Sequence, residues 1–385
     1  MELIDASIKI IDVSKDSIST FGIEGFSFEL NEFKIDSSTI LKPKRVSYKT
    51  FSCGSGHCYL YLSDDYDFKM GDFSYNSTDK IFKFEDINVS HNLSKKGYLK
   101  ETEDDTPYYD ISLGKLAIDL STVDPITDSV LLIKKVSLEE LSVFVAQSKL
   151  KRIRIPSRKP LIANMIRSIK IPILIDEIEL SDGLFTYEFR EKIMKGQSVT
   201  VMFSHSNILI ENITNIDTFL MKNQYMTVAA ESSFMDKGKV DLRMSFDLRS
   251  EIERFTVNGH MGTMAFTDAN SIVEKLAPVT FVGGKVHNVD FNFVANKYNA
   301  NGFMDFSYED VRLNVLKSDS PKRENKPVMS MLLNNYLKKN NMPNTNKYKR
   351  GTISVNFDQH KSILNYLWQS VKSGLFSSLA RSKKK

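Results

Sequence analysis

The chain has 385 residues, of which 41% are hydrophobic, 26% charged and 11% aromatic; it can bury a core and is neither a disordered chain nor a helical membrane bundle. No run approaches the ~18 apolar residues of a spanning helix, and the start, Met1-Glu2-Leu3-Ile4-Asp5, lacks the basic and apolar regions of a signal peptide. The net charge of +4 conceals 15 Lys/Arg against 3 Asp/Glu in residues 317–385 and 37 against 45 in residues 1–316, which excludes a uniformly basic nucleic-acid binder and places the cations at the C-terminal end.

Strand patterning dominates in chain order. Strands are predicted at 7–13, 25–30, 58–62, 80–90, 110–120, 131–146, 172–190, 198–213 and 225–235. Residues 241–248 alternate strictly, so Leu242, Met244, Phe246 and Leu248 share one face. The same alternation recurs in residues 289–293, 302–308 and 311–315. Asp182-Gly183, Lys195-Gly196, Asp236-Lys-Gly238 and Gly283-Gly284 read as turns between strands. Many strands at short intervals predict an antiparallel meander.

Helical signals are few. Leu161 to Ile169 lies between prolines, and Asp268 to Leu276 stops before Pro278, as a crossover would. Val328, Met331, Leu332 and Tyr336 line a short helix after Pro327. The final helix, Lys361 to Leu379, carries Leu364, Leu367, Trp368, Val371, Leu375 and Leu379 on one stripe. Residues 91–107 and 317–350 read as polar loops, the second basic and mobile with one short helix; neither splits the chain into independent cores.

Patterns that carry chemistry are few. Cys53 and Cys58 flank Gly-Ser-Gly-His57, one ligand short of a structural zinc site; a disulfide across a Gly-rich hairpin turn and two reduced thiols fit equally well. His57, His91, His205, His260, His287 and His360 each stand alone in the sequence, without metal-ligand spacing. There is no Walker loop and no dinucleotide-binding glycine motif. Asp64-Asp65, Asp104-Asp105 and Glu139-Glu140 pair carboxylates along the chain, and no sequence shows whether they face a cleft. No catalytic residue, cofactor or metal is expected. The 25 phenylalanines, many at alternate strand positions, leave two readings: a β-sandwich core, or one long sheet curled around an apolar trough that shields lipid tails. Each buried methylene of such a tail would contribute about 0.8 kcal/mol.

The order of segments from about residue 170 resembles the AsmA-like proteins of Gram-negative bacteria, especially the Bacteroidetes type. The resemblance lies in ILIDEIELSDGLFTY (173–187), GQSVTVMF (196–203), ILIENITN (208–215), FTVNGHMG (255–262), GGKVHNVDF (283–291), ANGFMDFSY (300–308) and KSILNYLW (361–368) followed by Ser373-Gly374. It covers a little over half the chain; each piece is degenerate, and the succession is what carries it.

The resemblance implies a mainly β fold, a long curled antiparallel sheet (β-taco or groove) related to the chorein-like bridge proteins, with a few short helices and an amphipathic C-terminal helix. Together with the composition, it divides the chain into 1–170, the N-terminal part of the groove; 171–316, the AsmA-like part; 317–350, the basic loop; and 351–385, a final strand, helix and basic tail. It implies a non-enzymatic role in phospholipid transport between membranes or in outer-membrane biogenesis, in the periplasm and associated with the inner membrane, with phospholipid or another acyl lipid, a membrane surface and envelope assembly proteins as partners. Family members begin with a transmembrane helix; strand patterning at residue 7 leads us to expect the downstream part of a longer design. The expected lipid-facing residues are Leu242, Met244, Phe246, Leu248, Phe255, Val257, Phe291, Phe293, Met304, Phe306, Tyr308, Leu313 and Val315. The expected membrane-facing ones are Leu364, Leu367, Trp368, Val371, Leu375, Lys383, Lys384 and Lys385.

Overall fold

A computed structural model describes residues 1–12, 19–34, 48–61, 66–120, 130–150, 158–190, 197–316, 331 and 338–379. The period-two segments join in one sheet of 18 strands. In chain order these are β1 (Glu2–Asp12), β2 (Ser19–Asn31), β3 (Thr50–Ser55), β4 (His57–Tyr61), β5 (Tyr66–Met70), β6 (Phe73–Asn76), β7 (Ile81–His91), β8 (Tyr108–Asp119) and β9 (Leu131–Ser148). There follow β10 (Ile173–Arg190), β11 (Val199–Thr214), β12 (Tyr225–Phe234), β13 (Gly238–Asp247), β14 (Phe255–Met261), β15 (Met264–Ala265), β16 (Val279–Ala295), β17 (Asn299–Val315) and β18 (Gly351–Asn356). Five helices accompany them among the described residues: α1 (Lys95–Glu101), α2 (Ile162–Arg167), α3 (Asp217–Leu220), α4 (Asn270–Leu276) and α5 (Ile363–Leu379). Residues 91–107, expected as a loop, thus contain α1, which Ser94 caps by accepting the Gly97 amide.

The pairing follows the chain as a meander, antiparallel except at one place: β9 and β10 run parallel, joined through the segment that holds α2. The expected boundary at 170/171 falls in this crossover, and the sheet continues across it. β3 and β4 both pair with β2 and so form one kinked ribbon, as do β5 and β6 against β7.

A line of left-handed kinks and bulges crosses the first two thirds of the sheet. Asp5, Gly25, Asp86, Glu140, Asp182 and His205, in β1, β2, β7, β9, β10 and β11, all have φ between 48° and 67°. Register slips accompany them in β1, β10 and β11. Gly56 and Gly71 continue the line, their amides donating to the Glu24 and Glu85 carbonyls at 3.0 Å each. A bulge places two consecutive side chains on one face, bends its strand and strengthens its twist. Repeated at one level, it creases the sheet. Asp182-Gly183 and Gly283-Gly284 therefore lie inside β10 and β16 rather than in turns. Asp236-Lys-Gly238 does close a turn, with Met235 and Asp236 at positive φ, and Lys195-Gly196 lies outside the described residues.

On the apolar face, the described helices cover only the C-terminal end. Leu161, Ala163 and Ile166 around α2, Phe266 before α4, and Tyr366 of α5 share one buried cluster with Phe246, Phe255, Val257, Phe293, Met304, Phe306 and Ile353. α2 touches β11 and β13, while α4 reaches both β11 and β16. Residues 338–350, expected as mobile loop, are pinned instead. The buried Asn341 amide donates to the Phe306 and Lys349 carbonyls at 2.6 and 3.0 Å, and Arg350 binds Asp305 through Nε and Nη2. That bond to Arg350, more than any other contact, holds the Asp305 carboxyl below its ordinary range. Val328, Leu332 and Tyr336 lie outside the described residues; Met331 is exposed.

Candidate binding trough

Cross-strand pairing aligns the apolar side chains into rows at right angles to the strands. One row reads Leu3, Phe28, Cys53, Tyr75, Phe82, Ile118, Val136, Ile178, Ile210, Val228, Met244, Val257, Phe293, Gly302 and Ile353, each residue paired with the next. It crosses every ribbon without a charged residue. Beyond the crease a second row runs Ile10, Phe21, Leu60, Phe68, Val89, Ile111, Val143, Phe185, Phe203 and Phe234. Side chains alternate along a strand, so the opposite face takes the polar residues. Lys135 bridges Glu177 and Glu179 there at 2.7 and 2.5 Å, and Lys115 pairs with Glu139 at 3.7 Å.

The two ends of this apolar face differ. From β12 to β18 it lies beneath α2, α4 and α5, and Met304 and Tyr308 are fully buried. From β1 to β10, no described helix packs on it. α1 sits on the other face, where its Tyr98 packs against Tyr108, Ala146 and Phe144, residues that alternate with the row residues Val143 and Ile111. Row residues here, such as Ile111, Val143 and Phe185, are half-exposed, and at the β1 edge Leu3, Ile8 and Ile10 are exposed by 39%, 41% and 57%. About seven inter-strand steps of ~4.8 Å give this open stretch a length near 34 Å. That exceeds the ~15 Å that one acyl chain occupies in half of a ~30 Å hydrocarbon layer.

The expected lipid-facing residues therefore require correction. Phe246, Leu248, Phe255, Val257, Phe293, Met304, Phe306, Tyr308, Leu313 and Val315 are buried core. Leu242, Met244 and Phe291 are half-buried and pack against it. The periodicity found the correct face, but α2, α4 and α5 cover that part of it. The open part lies upstream, where the bulges break the alternation that sequence reading relies on. A residual signal was present in the mid-strand acid or glycine at Asp5, Gly25, Asp86 and Glu140.

The cysteines also need correcting. Gly56 is a bend in one continuous ribbon rather than a hairpin turn, so Cys53 and Cys58 lie about 16 Å apart along the strand, too far to bridge. Both thiols are free, line the apolar face, and have pKa values raised by burial. A raised thiol pKa disfavours the thiolate, so neither is poised as a nucleophile. On the polar face three histidines have acidic neighbours: His205 with Asp182 (3.0 Å), His260 with Asp290 (2.6 Å) and His287 with Glu309 (3.0 Å). Among the described residues, no three potential ligands converge on a metal position.

The stripe expected on the last helix divides in two. Leu367, Val371 and Leu375 pack against the core, with Leu379, and so do not face outward. Leu364 and Trp368 do face outward. The face pressed on the sheet is Tyr366 followed by the small residues Ser370, Gly374 and Ser378, a line that apolar periodicity does not reveal. A Cβ on Gly351 would collide with the Gly374 carbonyl oxygen and Ser378 Oγ, so this contact tolerates only glycine. Lys383, Lys384 and Lys385 lie outside the described residues. No described helix is long and apolar enough to cross a membrane. In comparisons with known proteins, no family model matches this sequence, and no curated protein matches it.

Proposed function

We propose that the protein is a non-enzymatic lipid-binding groove protein that holds acyl chains along the open apolar face between β1 and β10. In this reading it assists phospholipid transport between membranes, or outer-membrane biogenesis, in a Gram-negative envelope. The observation that carries it is the unbroken apolar row from Leu3 to Ile353, uncovered at one end and sealed by helices at the other. The resemblance to AsmA-like proteins supplies the compartment. The energetics fit a conduit better than a trap. An acyl chain leaving a bilayer for this face exchanges one apolar setting for another, while about 0.8 kcal/mol per methylene opposes its escape into water. Lipids can thus move along the rows without a large change in free energy.

The alternation of faces supplies the test. Val143→Asp combined with Phe185→Asp places carboxylates in the open trough, whereas Leu184→Asp places one on the polar face. Phospholipid is expected to co-purify with the gently isolated wild-type protein by native mass spectrometry. Transfer between donor and acceptor liposomes should fall at least about tenfold in the double variant and stay unchanged in Leu184→Asp. Absence of bound lipid together with equal transfer by all three proteins would falsify the reading. It would instead favour an envelope-assembly scaffold without lipid, which the closed core from β12 to β18 also suits.

A further inference from the structure

The surface of α5 that faces away from the sheet is apolar. Leu364, Trp368 and Phe376 are 73%, 54% and 62% exposed on a helix whose opposite side is fully engaged. With Lys372 they form a line at intervals of four residues, one stripe along the helix. The Lys372 ammonium lies 5.9 Å from the Phe376 ring centroid, at the reach of a cation–π contact. The charge around the stripe has one sign: from Lys361 to Lys385 the sequence holds six Lys/Arg and no Asp or Glu, and Arg381-Ser-Lys-Lys-Lys385 directly follows the helix.

We infer that this stripe docks the protein on an anionic phospholipid surface, the three apolar side chains entering the headgroup boundary and the basic residues meeting the lipid phosphates. Three features select a bilayer over other apolar partners. The exposed Trp is the side chain most suited to a membrane interface. The stripe is narrow, and the sequence just after the helix is a run of cations, a pattern of helices that lie in the interface plane. The cations follow without any interspersed acid, which fits an anionic lipid surface better than another protein's mixed-charge surface. The docking surface and the trough are separate places on the molecule, so either can operate without the other. The helix that docks is the one that closes the β18 end of the sheet, which would orient the open β1 end away from that membrane.

Trp368 is the only tryptophan in the chain, so its emission reports this surface alone. The full-length protein is mixed with phosphatidylcholine vesicles, or with vesicles containing one third phosphatidylglycerol. A blue shift and co-flotation are expected only with the anionic vesicles, and both should weaken as salt screens the charges. Leu364→Ser with Phe376→Ser, at exposed positions, should abolish the shift while leaving the circular dichroism spectrum unchanged. Lys383→Gln, Lys384→Gln and Lys385→Gln together should weaken binding about 100-fold. An unshifted Trp368 with anionic vesicles overturns the inference, as does an equal shift with phosphatidylcholine alone. A shift that appears on concentrating the protein without vesicles would assign the stripe to a second copy and overturn it as well. Val143→Asp with Phe185→Asp should still dock, which separates failure of this surface from failure of the trough.

Discussion

Tyr308 shows how a single residue records its surroundings. Its ring packs against Phe266 and Phe306, and the residue is fully buried, yet its hydroxyl has no hydrogen-bond partner among the described residues. A buried unpaired hydroxyl costs roughly 1–3 kcal/mol, so Tyr308→Phe is expected to stabilise the fold by about 1 kcal/mol in urea denaturation. Burial also pushes the phenol pKa from 10.0 up to about 12. The folded state thus holds this proton more tightly than the unfolded chain does. The contribution is fully present below pH 10.0 and is lost as pH rises towards about 12. Denaturation midpoints should fall across that window by an amount corresponding to about 2–3 kcal/mol, and the fall should be smaller in Tyr308→Phe.

At the scale of elements, the sheet treats its two edges differently. The free edge of β18 is covered by α5: the Thr352 and Ser354 amides donate to Ser377 Oγ at 3.0 Å and Ser373 Oγ at 3.3 Å. Two helix serines take the place of a neighbouring strand, which blunts an edge that would otherwise invite pairing with another chain. Ser373→Ala with Ser377→Ala is expected to lower stability by about 1–2 kcal/mol and to increase concentration-dependent self-association, measured by denaturation and analytical ultracentrifugation. The helix can supply these hydroxyls only because Gly351 and Gly374 let it approach closely; a Cβ on Gly374 would stand 2.9 Å from Met304 Cβ. The serines and Gly374 of residues 370–378 look ordinary in the sequence. Their role exists only against β18.

At the scale of the whole molecule, one face carries continuous apolar rows, closed by helices from β12 onward and open from β1 to β10. Cys53 and Cys58 sit in the open part and offer an internal reporter. If lipid occupies the trough, incubation with phospholipid vesicles should slow maleimide labelling of both thiols several-fold, read by mass spectrometry. Unchanged labelling would show that acyl chains do not reach β3 and β4. Labelling in the absence of vesicles should itself be slow at neutral pH, because burial raises both thiol pKa values.

The sequence by itself determined the β character, the meander and the identity of the apolar face, because a period of two is a local property that each strand carries in its own residues. It located Leu242 to Leu248 on the inner face and α5 at the end for the same reason. Only the tertiary structure decided which part of that face stays open. Covering a residue is a long-range event: Leu161 and Tyr366 reach core positions far from them in the chain, and no local pattern encodes that. It also decided that Gly56 and Asp182-Gly183 bend strands instead of ending them, since a bulge and a turn use the same residue types and differ only in what pairs beyond them. The split of the α5 stripe into a packed flank and an exposed line of Leu364, Trp368 and Phe376 has the same origin. A helix buries the side that fits closest, and here the closest fit is made by its smallest residues.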